Sequence, residues 1–320
     1  MNIYLTFDYE LFFGEESGTV EKCMLQPTED LLELARGKNV SYTFFVDVGY
    51  LIEAEKYPQL RTELQLVKTQ INKMLTLGHD VQLHIHPHWE KATWDGKWSM
   101  NISNSYKLSD FSEIEITAIV KKYKSYLDNI TGNNTFVFRA GGWCIEPFIL
   151  LKDVFKEVGI RIDSSVFPGV YLKTDNYSVN FLNAPRKSKY YFENSVCDED
   201  EDGSFIEYPI SSFRYSPSFY WWLFGLGKLF PTSHKMIGDG QFISQGGRKW
   251  HSLTSFSNFH VSTDGYYAKK LKASLQKSIN LNHAEMVVIG HPKGNTIYSL
   301  RKLNRFIDEN HTKHSFKTFV

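Results

Sequence analysis

The chain has 320 residues, of which 42% are hydrophobic and 15% aromatic, so it can bury a substantial core. Lysine plus arginine and aspartate plus glutamate balance at 36 each, which argues against a polyanionic partner such as nucleic acid. Three cysteines without CxxC spacing argue against a disulfide framework and fit a reducing compartment. The N-terminal MNIYLTFDYE lacks the basic region of a signal peptide, and no apolar run approaches the ~20 residues of a membrane span, so we expect a cytoplasmic protein.

Short runs rich in β-branched and aromatic residues alternate with amphipathic stretches over most of the chain. Runs typical of strands lie at 2–7, 41–46, 80–86, 135–139, 160–163 and 286–290. Stretches with apolar residues three or four apart, typical of helices, lie at 28–36, 60–77, 112–129 and 146–158. This repeated β-α-β order predicts a parallel sheet covered by helices, either open or closed into a barrel.

The pattern breaks between about 185 and 280. This segment holds an acidic loop, CDEDEDG, a strand-like run, FIEYPIS, and an aromatic run, SFYWWLFGLGKLF. We predict one domain over 1–320, with a core at about 1–184 and 281–320 and a long insertion at about 185–280. The aromatic run is expected to be mostly core, although Lys228 and the glycines also fit a patch that lies on a membrane surface.

Polar side chains gather at the predicted strand ends, where parallel α/β proteins place their catalytic groups. They are Asp8 and Glu10 after the first strand, His84, His86 and His88 after the third, and then Arg139, Asp163 and His291. Such residues at successive strand ends indicate one active site.

The three histidines of GHDVQLHIHPHW, at 78–89, predict a metal site. Two histidines and one carboxylate form a catalytic metal site that leaves a position open for water. His84 and His86 are two residues apart, so on a strand they share a face. Pro87 ends the strand and favours a turn, which would let His84 and His88 converge instead. Both pairs are compatible with the residues alone.

The order of motifs resembles that of the NodB-homology polysaccharide deacetylases, the metal-dependent carbohydrate esterases that include chitin and peptidoglycan deacetylases. LTFDYE resembles their first motif, TFDD or TFDxE, and SYTFFVDVG resembles their second strand. HIHPH resembles H-S/T-x-x-H, FRAGGW resembles R-x-P-Y, and VVIGHP resembles the final L-x-H. The resemblance covers 1–170 and 281–320 and looks closest to the WbmS-like branch of O-antigen and capsule clusters. It implies a distorted (β/α)7-type barrel with the aromatic insertion before the last strands.

Carried over residue by residue, the resemblance implies a metal bound by Glu10, His84 and His88, with Asp8 as the general base. His86 then lies beside the ligands or faces the substrate. One divalent ion suits this set, zinc first and otherwise cobalt, nickel or manganese.

The first motif departs from the family pattern at Tyr9, where most members have a second aspartate. The second carboxylate is therefore Glu10, and residues i and i+2 of a strand share a face. Both carboxylates can enter one site, and the exchange of their roles, with Asp8 on the metal, stays open.

The remaining motifs imply the rest of the catalytic machinery. Arg139 is expected to orient the base, and His291 to protonate the leaving amine as general acid. Asp163 is expected to hold the His291 ring and to favour its charged form. Backbone N–H groups of the AGGW turn, 140–143, are candidate donors to the oxyanion. The residues expected to face the sugar or support the site are Trp89, Gly141, Gly142 and Trp143.

The expected activity is hydrolysis of an amide: removal of an acyl group, expected to be acetyl, from an amino sugar of O-antigen, capsule or their precursor. The N-acylated substrate would be met in the cytoplasm, linked to a nucleotide or to a lipid carrier at the inner leaflet, where the aromatic run could contact the membrane. A degenerate, glycan-binding protein also fits Tyr9 and the absent Pro-Tyr of the third motif. Another metallohydrolase, of the amidohydrolase or phosphoesterase type, is disfavoured because those enzymes place HxH on the first strand.

Overall fold

The computed structural model describes residues 1–132, 135–243 and 248–319. The helices are α1 (Gln26–Ala35), α2 (Val48–Ala54), α3 (Arg61–Thr76), α4 (Glu113–Thr131), α5 (Lys152–Val158), α6 (Pro217–Leu229), α7 (Pro231–His234), α8 (Arg248–Thr254), α9 (Leu271–Asn280) and α10 (Ile297–Asn310). The strands are β1 (Asn2–Tyr9), β2 (Tyr42–Asp47), β3 (Asp80–Ile85), β4 (Thr93–Trp94), β5 (Trp98–Ser99), β6 (Val137–Ala140), β7 (Ile162–Asp163), β8 (Tyr171–Lys173), β9 (Ser178–Asn180), β10 (Tyr190–Phe192), β11 (Phe205–Glu207), β12 (Ser212–Tyr215), β13 (Ser257–His260), β14 (Glu285–Gly290) and β15 (Ser315–Phe316).

One main sheet organises the described chain, in the order β10-β11-β7-β6-β3-β2-β1-β14, with β15 also beside β1. Its neighbours pair in parallel except β10 and β11, which are antiparallel. Isolated parallel bridges join Ile210 to Val287 and Ser262 to Ile289, so the chain after β11 returns to β14 and the sheet curls. The predicted α/β class with a parallel, barrel-like sheet is confirmed.

Strands β1, β2 and β14 of the main sheet are buried on both faces, which explains their continuous apolar sequences. All six residues of β2 are buried, and seven of the eight in β1 are buried. Helices cover the outer face, and side chains from several strands meet inside the curl. Polar residues within such strands are exceptions to this pattern, and they concentrate at the carboxyl ends.

The helix predicted at 146–158 is shorter than expected. Pro147 lacks an N–H and fixes its own φ, so the chain first forms a turn at Phe148–Leu150 and α5 begins only at Lys152. The left-handed Gly159 ends α5, as the sequence predicts.

The segment predicted as an insertion is divided between two environments. Its strands β10 and β11 extend the main sheet, and β11 pairs with β7 so that Glu207 lies opposite Asp163. The following residues form the β12–β13 hairpin and the helices α6 to α8. The aromatic run forms α6, in which only Phe219 is buried, so the expectation that this run is mostly core is wrong. None of the described helices combines the length and the apolar content that crossing a bilayer requires.

Aromatic rings fill the interior of the curled sheet below the carboxyl ends of the strands. The ring centroid of Phe319 lies 4.9 Å from that of Tyr4, 5.3 Å from that of Tyr208 and 6.1 Å from that of Phe45. The guanidinium carbon of Arg139 lies 4.1 Å from the centroid of Phe45. This aromatic layer therefore supports the arginine from below and separates the polar strand ends from the core.

Candidate active site

Two strands of the main sheet bring one carboxylate and two imidazoles together. Glu10 follows β1, whereas His84 lies in β3 and His86 follows it. Oε2 of Glu10 lies 3.1 Å from Nε2 of His84 and 2.8 Å from Nε2 of His86. Among the described residues, these three form the group whose ligand atoms lie within 4.8 Å of one another, and all three are buried.

The hydrogen bonds of His84 leave its Nε2 beside Glu10, where a proton or a cation can lie between them. Nδ1 of His84 donates a hydrogen bond to the carbonyl of Arg139 at 2.7 Å, so the lone pair of Nε2 faces Glu10. Burial opposes the charged form of the ring, but the carboxylates of Asp8 and Glu10 outweigh burial and raise the pKa of His84 to about 9. Two facing acceptors require a proton or a metal ion between them, and a ligand histidine usually donates its other nitrogen in this way.

His86 completes a donor set that suits a divalent metal. Burial, the largest cause, lowers the pKa of His86 to about 4, so its ring is neutral near pH 7 and its Nε2 can donate a lone pair. Its Nδ1 is buried and has no hydrogen-bond partner among the described residues. Two imidazole nitrogens and one carboxylate oxygen match the ligands of catalytic zinc sites, so the residues present fit the implied ion.

His88 lies outside this group, contrary to the pair predicted from the resemblance. Because side chains on a strand alternate with a period of two, His86 shares the face of His84. Pro87 then begins the turn Pro87–Lys91, which carries His88 away to where its ring packs 4.7 Å from Phe13. Both His88 nitrogens are buried without a partner among the described residues.

Lys293 holds the other oxygen of Glu10 and was not predicted. Its Nζ lies 2.9 Å from Oε1 of Glu10 and also donates to the carbonyl of Leu11. Burial raises the pKa of Glu10, but Lys293, the largest opposing cause, and the histidines hold it well below its ordinary value. The available signal was the spacing: Lys293 follows His291 by two residues, as Glu10 follows Asp8.

Arg139 makes the contact with Asp8 that the resemblance implies. Its Nη1 donates to Oδ1 of Asp8 at 2.7 Å, while Nε donates to the carbonyl of Ser164 at 2.8 Å. Burial raises the pKa of Asp8, but Arg139 and the nearby imidazoles outweigh burial and lower it below its ordinary value. Asp8 is therefore an ionised carboxylate at the edge of the metal-ligand group.

His291 is held by Asp264 and not by Asp163. Its Nδ1 lies 2.7 Å from Oδ2 of Asp264, and its backbone N–H donates to Oδ1 at 2.8 Å. Its Nε2 points toward Asp8, 3.6 Å from Oδ2. Burial opposes the charged ring, but Asp264, and then Asp8 and Glu10, outweigh burial and raise the pKa of His291. The contact predicted between Asp163 and His291 is therefore made by Asp264, a residue of the predicted insertion.

Asp163 instead belongs to a buried carboxyl pair one layer deeper. It accepts hydrogen bonds from the backbone N–H and the hydroxyl of Ser165, at 2.9 and 2.8 Å. Burial first, and then the Asp163 carboxylate, raise the pKa of Glu207 well above its ordinary value. Burial also raises the pKa of Asp163, so both carboxyl groups of the pair bind a proton more readily than they would in water. Sequence reasoning missed Glu207 because it lies in the segment predicted as an insertion.

The remaining predicted residues have different surroundings. At Gly141 an added Cβ would lie 2.6 Å from Nδ1 of His86, so glycine lets the AGGW turn approach the histidine. Gly142 adopts a positive φ of 58° against Tyr106. Trp143 lines the cavity, whereas Trp89 is fully buried and donates from Nε1 to Oδ2 of Asp47 at 2.6 Å. The N–H of Ala140 is already bonded to Ser165, which removes it from the candidate oxyanion donors.

A cavity of about 450 Å³ opens above the group, within the range of small-molecule sites. Its floor carries Asp8, Glu10, His84, His86, His291 and Lys293. Its walls are largely apolar and aromatic, with Phe13, Tyr106, Trp143, Tyr177, Leu223 and Phe242 among them. Reactive groups thus meet at one end of an aromatic-walled cleft, an environment suited to a sugar ring.

No protein-family profile and no curated protein matches the chain. Among solved structures, a proposed polysaccharide deacetylase from Mycobacterium smegmatis is 15% identical, with a TM-score of 0.51 over 98% of this chain and 84% of its own. A GH57 branching enzyme from Thermococcus kodakaraensis is 9% identical, with a TM-score of 0.53 over 99% and 69%. A family 4 carbohydrate esterase from Streptomyces lividans, in complex with acetate, is 12% identical, with a TM-score of 0.40 over 97% and 89%.

The first two of these likenesses show the fold, and the predicted NodB-type deacetylase fold is confirmed as a curled sheet of parallel strands. The neighbours include deacetylases and a glucan-branching enzyme. A fold shared by enzymes with different substrates does not decide the reaction, so the reaction has to be argued from the side chains of the site.

Proposed function

We propose that this chain is a metal-dependent N-deacetylase that removes an acyl group, acetyl first, from an amino sugar of a surface polysaccharide or its precursor. The observation that carries the proposal is the floor of the cavity. There a two-histidine, one-carboxylate group lies beside an aspartate with a lowered pKa and a histidine with a raised pKa. Amide hydrolysis needs these three functions in one place.

The proposed ligands are Glu10, His84 and His86, and the ion is zinc, or else cobalt, nickel or manganese. When bound, such an ion polarises the acyl carbonyl and lowers the pKa of a coordinated water toward about 7. The cavity of about 450 Å³ opens over these three residues, so a substrate carbonyl would reach an ion held there from the cavity.

Asp8 is the proposed general base. Arg139 keeps it ionised and, through Ser164, fixed in position. His291 is the proposed general acid: Asp264 orients its ring, so that Nε2 faces the space beside Asp8. In this proposal the carboxylate accepts a proton from water, and the imidazolium delivers a proton to the leaving amine.

Glycosidic cleavage, suggested by the branching enzyme among the neighbours, fits the site less well. A glycosidase needs one carboxyl group that stays protonated near neutral pH to act as acid. Three carboxylates of the described chain line the cavity. Asp8 and Glu10 have lowered pKa values and a buried cation as partner, and Asp264 is bound to the His291 ring. The donor set also exceeds what glycan binding alone requires.

The test measures metal content and acetate release together. Protein purified without chelator or affinity metal is expected to hold about one equivalent of ion and to release acetate from an N-acetylated sugar. His86→Ala should lose both properties, whereas Asp8→Asn should keep the ion and lose acetate release. Wild type that stays free of metal after reconstitution with zinc or cobalt would overturn the proposal in favour of glycan binding.

The resemblance to the O-antigen and capsule branch favours a sugar precursor over a finished polymer. Sugar nucleotides with N-acetyl groups are the first substrates to assay, with chitin oligosaccharides as the polymeric comparison. Faster release of acetate from the polymer would refute this choice of substrate and leave the reaction itself unaffected.

A further inference from the structure

Helix α6 is apolar on all sides and yet lies on the surface. Its sequence is PSFYWWLFGLGKL, and among its described residues only Phe219 is buried. A helix that is apolar all round is normally enclosed by protein or by lipid. This helix therefore presents apolar surface that the described chain does not cover.

The exposed apolar surface extends beyond α6. Helix α8 packs against α6, and Nε1 of Trp221 donates to the carbonyl of Leu253 at 3.1 Å. The most exposed large side chains of this region are Trp221 (58%), Leu229 (72%), Phe230 (56%), Trp250 (73%) and Phe256 (56%). We name these five residues the aromatic patch. Patches of this kind mark interaction sites on soluble proteins.

The surroundings of the aromatic patch are strongly positive, although the whole chain is neutral. Between 211 and 256 the sequence has five basic residues and one acidic residue, a net charge of +4. Arg214, Lys228 and Lys235 are exposed. The one acidic residue, Asp239, is already bound by the N–H and the hydroxyl of Thr19, at 2.7 and 3.0 Å. The partner of this surface must therefore be apolar in part and negatively charged in part.

We propose that the aromatic patch docks this protein on an anionic lipid membrane. Tryptophan, phenylalanine and leucine side chains enter the boundary between headgroups and acyl chains, while lysine and arginine pair with the anionic headgroups. A second copy of the chain is a poorer partner, because a two-fold contact would place the exposed Arg214, Lys228 and Lys235 of one copy against those of the other.

The aromatic patch lies beside the cavity, so docking on a membrane would bring the cavity close to the lipid surface. Leu223 of α6 lines the cavity, as do His234 and Phe242 from the same basic segment. The cavity therefore opens beside the surface that would touch the membrane. A sugar attached to a lipid carrier could enter the site without leaving the bilayer. This last step rests on the proposed deacetylase function, whereas the docking itself does not.

The experiment is flotation of the purified full chain with phosphatidylcholine vesicles, prepared with and without phosphatidylglycerol. Wild type should float with the anionic vesicles, and less so at high salt, because the headgroup attraction is screened. The single variant Trp250→Ser should reduce the fraction of protein bound to vesicles. The double variant, which combines Trp221→Ser with Trp250→Ser, should reduce that fraction by about tenfold or more. The matched control is Leu77→Ser with Ile114→Ser, two positions 54% and 84% exposed outside the patch, which should float like wild type.

Three results would overturn the docking proposal. They are wild type that does not float with anionic vesicles, a folded patch variant that floats like wild type, and a dimer in solution that the same substitutions dissociate. Thermal unfolding checks that each variant is folded. If loss of the Trp221 hydrogen bond impairs folding of the double variant, the single variant Trp250→Ser tests the proposal alone. Asp8→Asn should float normally, so failure of the deacetylase assay and failure of docking are separate outcomes.

Discussion

Replacing Lys293 with methionine tests the electrostatics of the site most directly. Methionine preserves much of the apolar stem of the lysine side chain. The ammonium of Lys293 lies 4.7 and 4.8 Å from the ring centroids of Phe12 and Phe13. The substitution removes the charge that binds Oε1 of Glu10 and, with it, the hydrogen bond to the carbonyl of Leu11. The side chains of Lys293 and Glu10 are 3% and 6% exposed, so water cannot replace the lost partner.

The expected loss of stability is large. Breaking a buried ion pair from one side leaves an uncompensated charge and costs about 3–5 kcal/mol. An unfolding entropy of about 2.1 cal/mol/K per residue gives about 0.7 kcal/mol/K for 320 residues. In the presence of a chelator, Lys293→Met should therefore lower Tm by about 4–7 °C near neutral pH.

A bound divalent ion should reduce this penalty, because it supplies the missing positive charge to the same carboxylate. The remaining loss should resemble that of one charge-assisted hydrogen bond, about 1.5–3 kcal/mol. By linkage, an ion that reduces the penalty must bind the variant more tightly than it binds the wild type. We expect zinc affinity to rise about tenfold to thirtyfold, measured by isothermal titration.

The control is Lys124→Met on α4, whose Nζ lies 2.5 Å from Oδ2 of Asp128 and whose side chain is 11% exposed. It should lose stability by an amount that does not depend on the ion. If Lys293→Met bound zinc more weakly than the wild type, orientation of Glu10 would outweigh charge and the reasoning would be refuted. The same conclusion would follow if metal changed both variants equally.

Three further predictions concern the histidines and the buried acids. Removing a residue that only supports a metal ligand typically weakens metal binding by about 10–100-fold. His88→Ala should stay within that range, whereas His86→Ala should weaken zinc binding by more. Equal losses in the two variants would contradict the ligand assignment. Asp264→Asn should lower kcat by about 10²–10⁴-fold. It should also move the alkaline limb of the pH–rate profile to lower pH, because loss of the carboxylate lowers the pKa of His291. An alkaline limb that does not move would contradict this role of Asp264. Glu207 has a raised pKa in the folded state. Its contribution to the free energy of unfolding is therefore complete below the unfolded pKa of about 4.3. That contribution is lost as pH rises toward the folded pKa, at up to about 1.4 kcal/mol per pH unit. Glu207→Gln should remove that slope in unfolding measured across pH, and an unchanged slope would show that Glu207 is ionised.

The sequence pattern predicts the parallel sheet and the strand ends well because both depend on local periodicity. Once β1 and β3 are recognised, their carboxyl ends must meet at one edge of the sheet. This is why Asp8, Glu10, His84 and Arg139 could be placed in one site from spacing alone. The alternation of side chains on β3 allowed His86 on the face of His84, beside the alternative with His88, and the structure has His86 next to His84 and Glu10.

Asp264 could not be predicted in the same way because its position depends on long-range contacts. It precedes His291 by 27 residues and follows β13, in a segment with no strand-helix rhythm. The bridge between Ser262 and Ile289, on β14, brings it to the site. The resemblance directed attention to Asp163, which lies on a regular strand but on a deeper layer. The surface exposure of the aromatic run could not be predicted either, because a helix in the core and an apolar helix on the surface have the same hydrophobic composition.

The charges of the site explain why the lysine matters for catalysis as well as for stability. Each carboxylate already has a cation of the protein as its partner: Arg139 for Asp8 and Lys293 for Glu10. His291 and Asp264 likewise compensate each other. An ion must first displace the proton that the raised pKa of His84 places on its ring. The other charges of the site cancel, so a divalent ion would give the site an excess of +2. Such an excess weakens the binding of the ion but stabilises hydroxide and the oxyanion that follows, both of which are negative. Lys293→Met should accordingly hold zinc more tightly and turn over more slowly, a combination that a purely structural lysine would not produce.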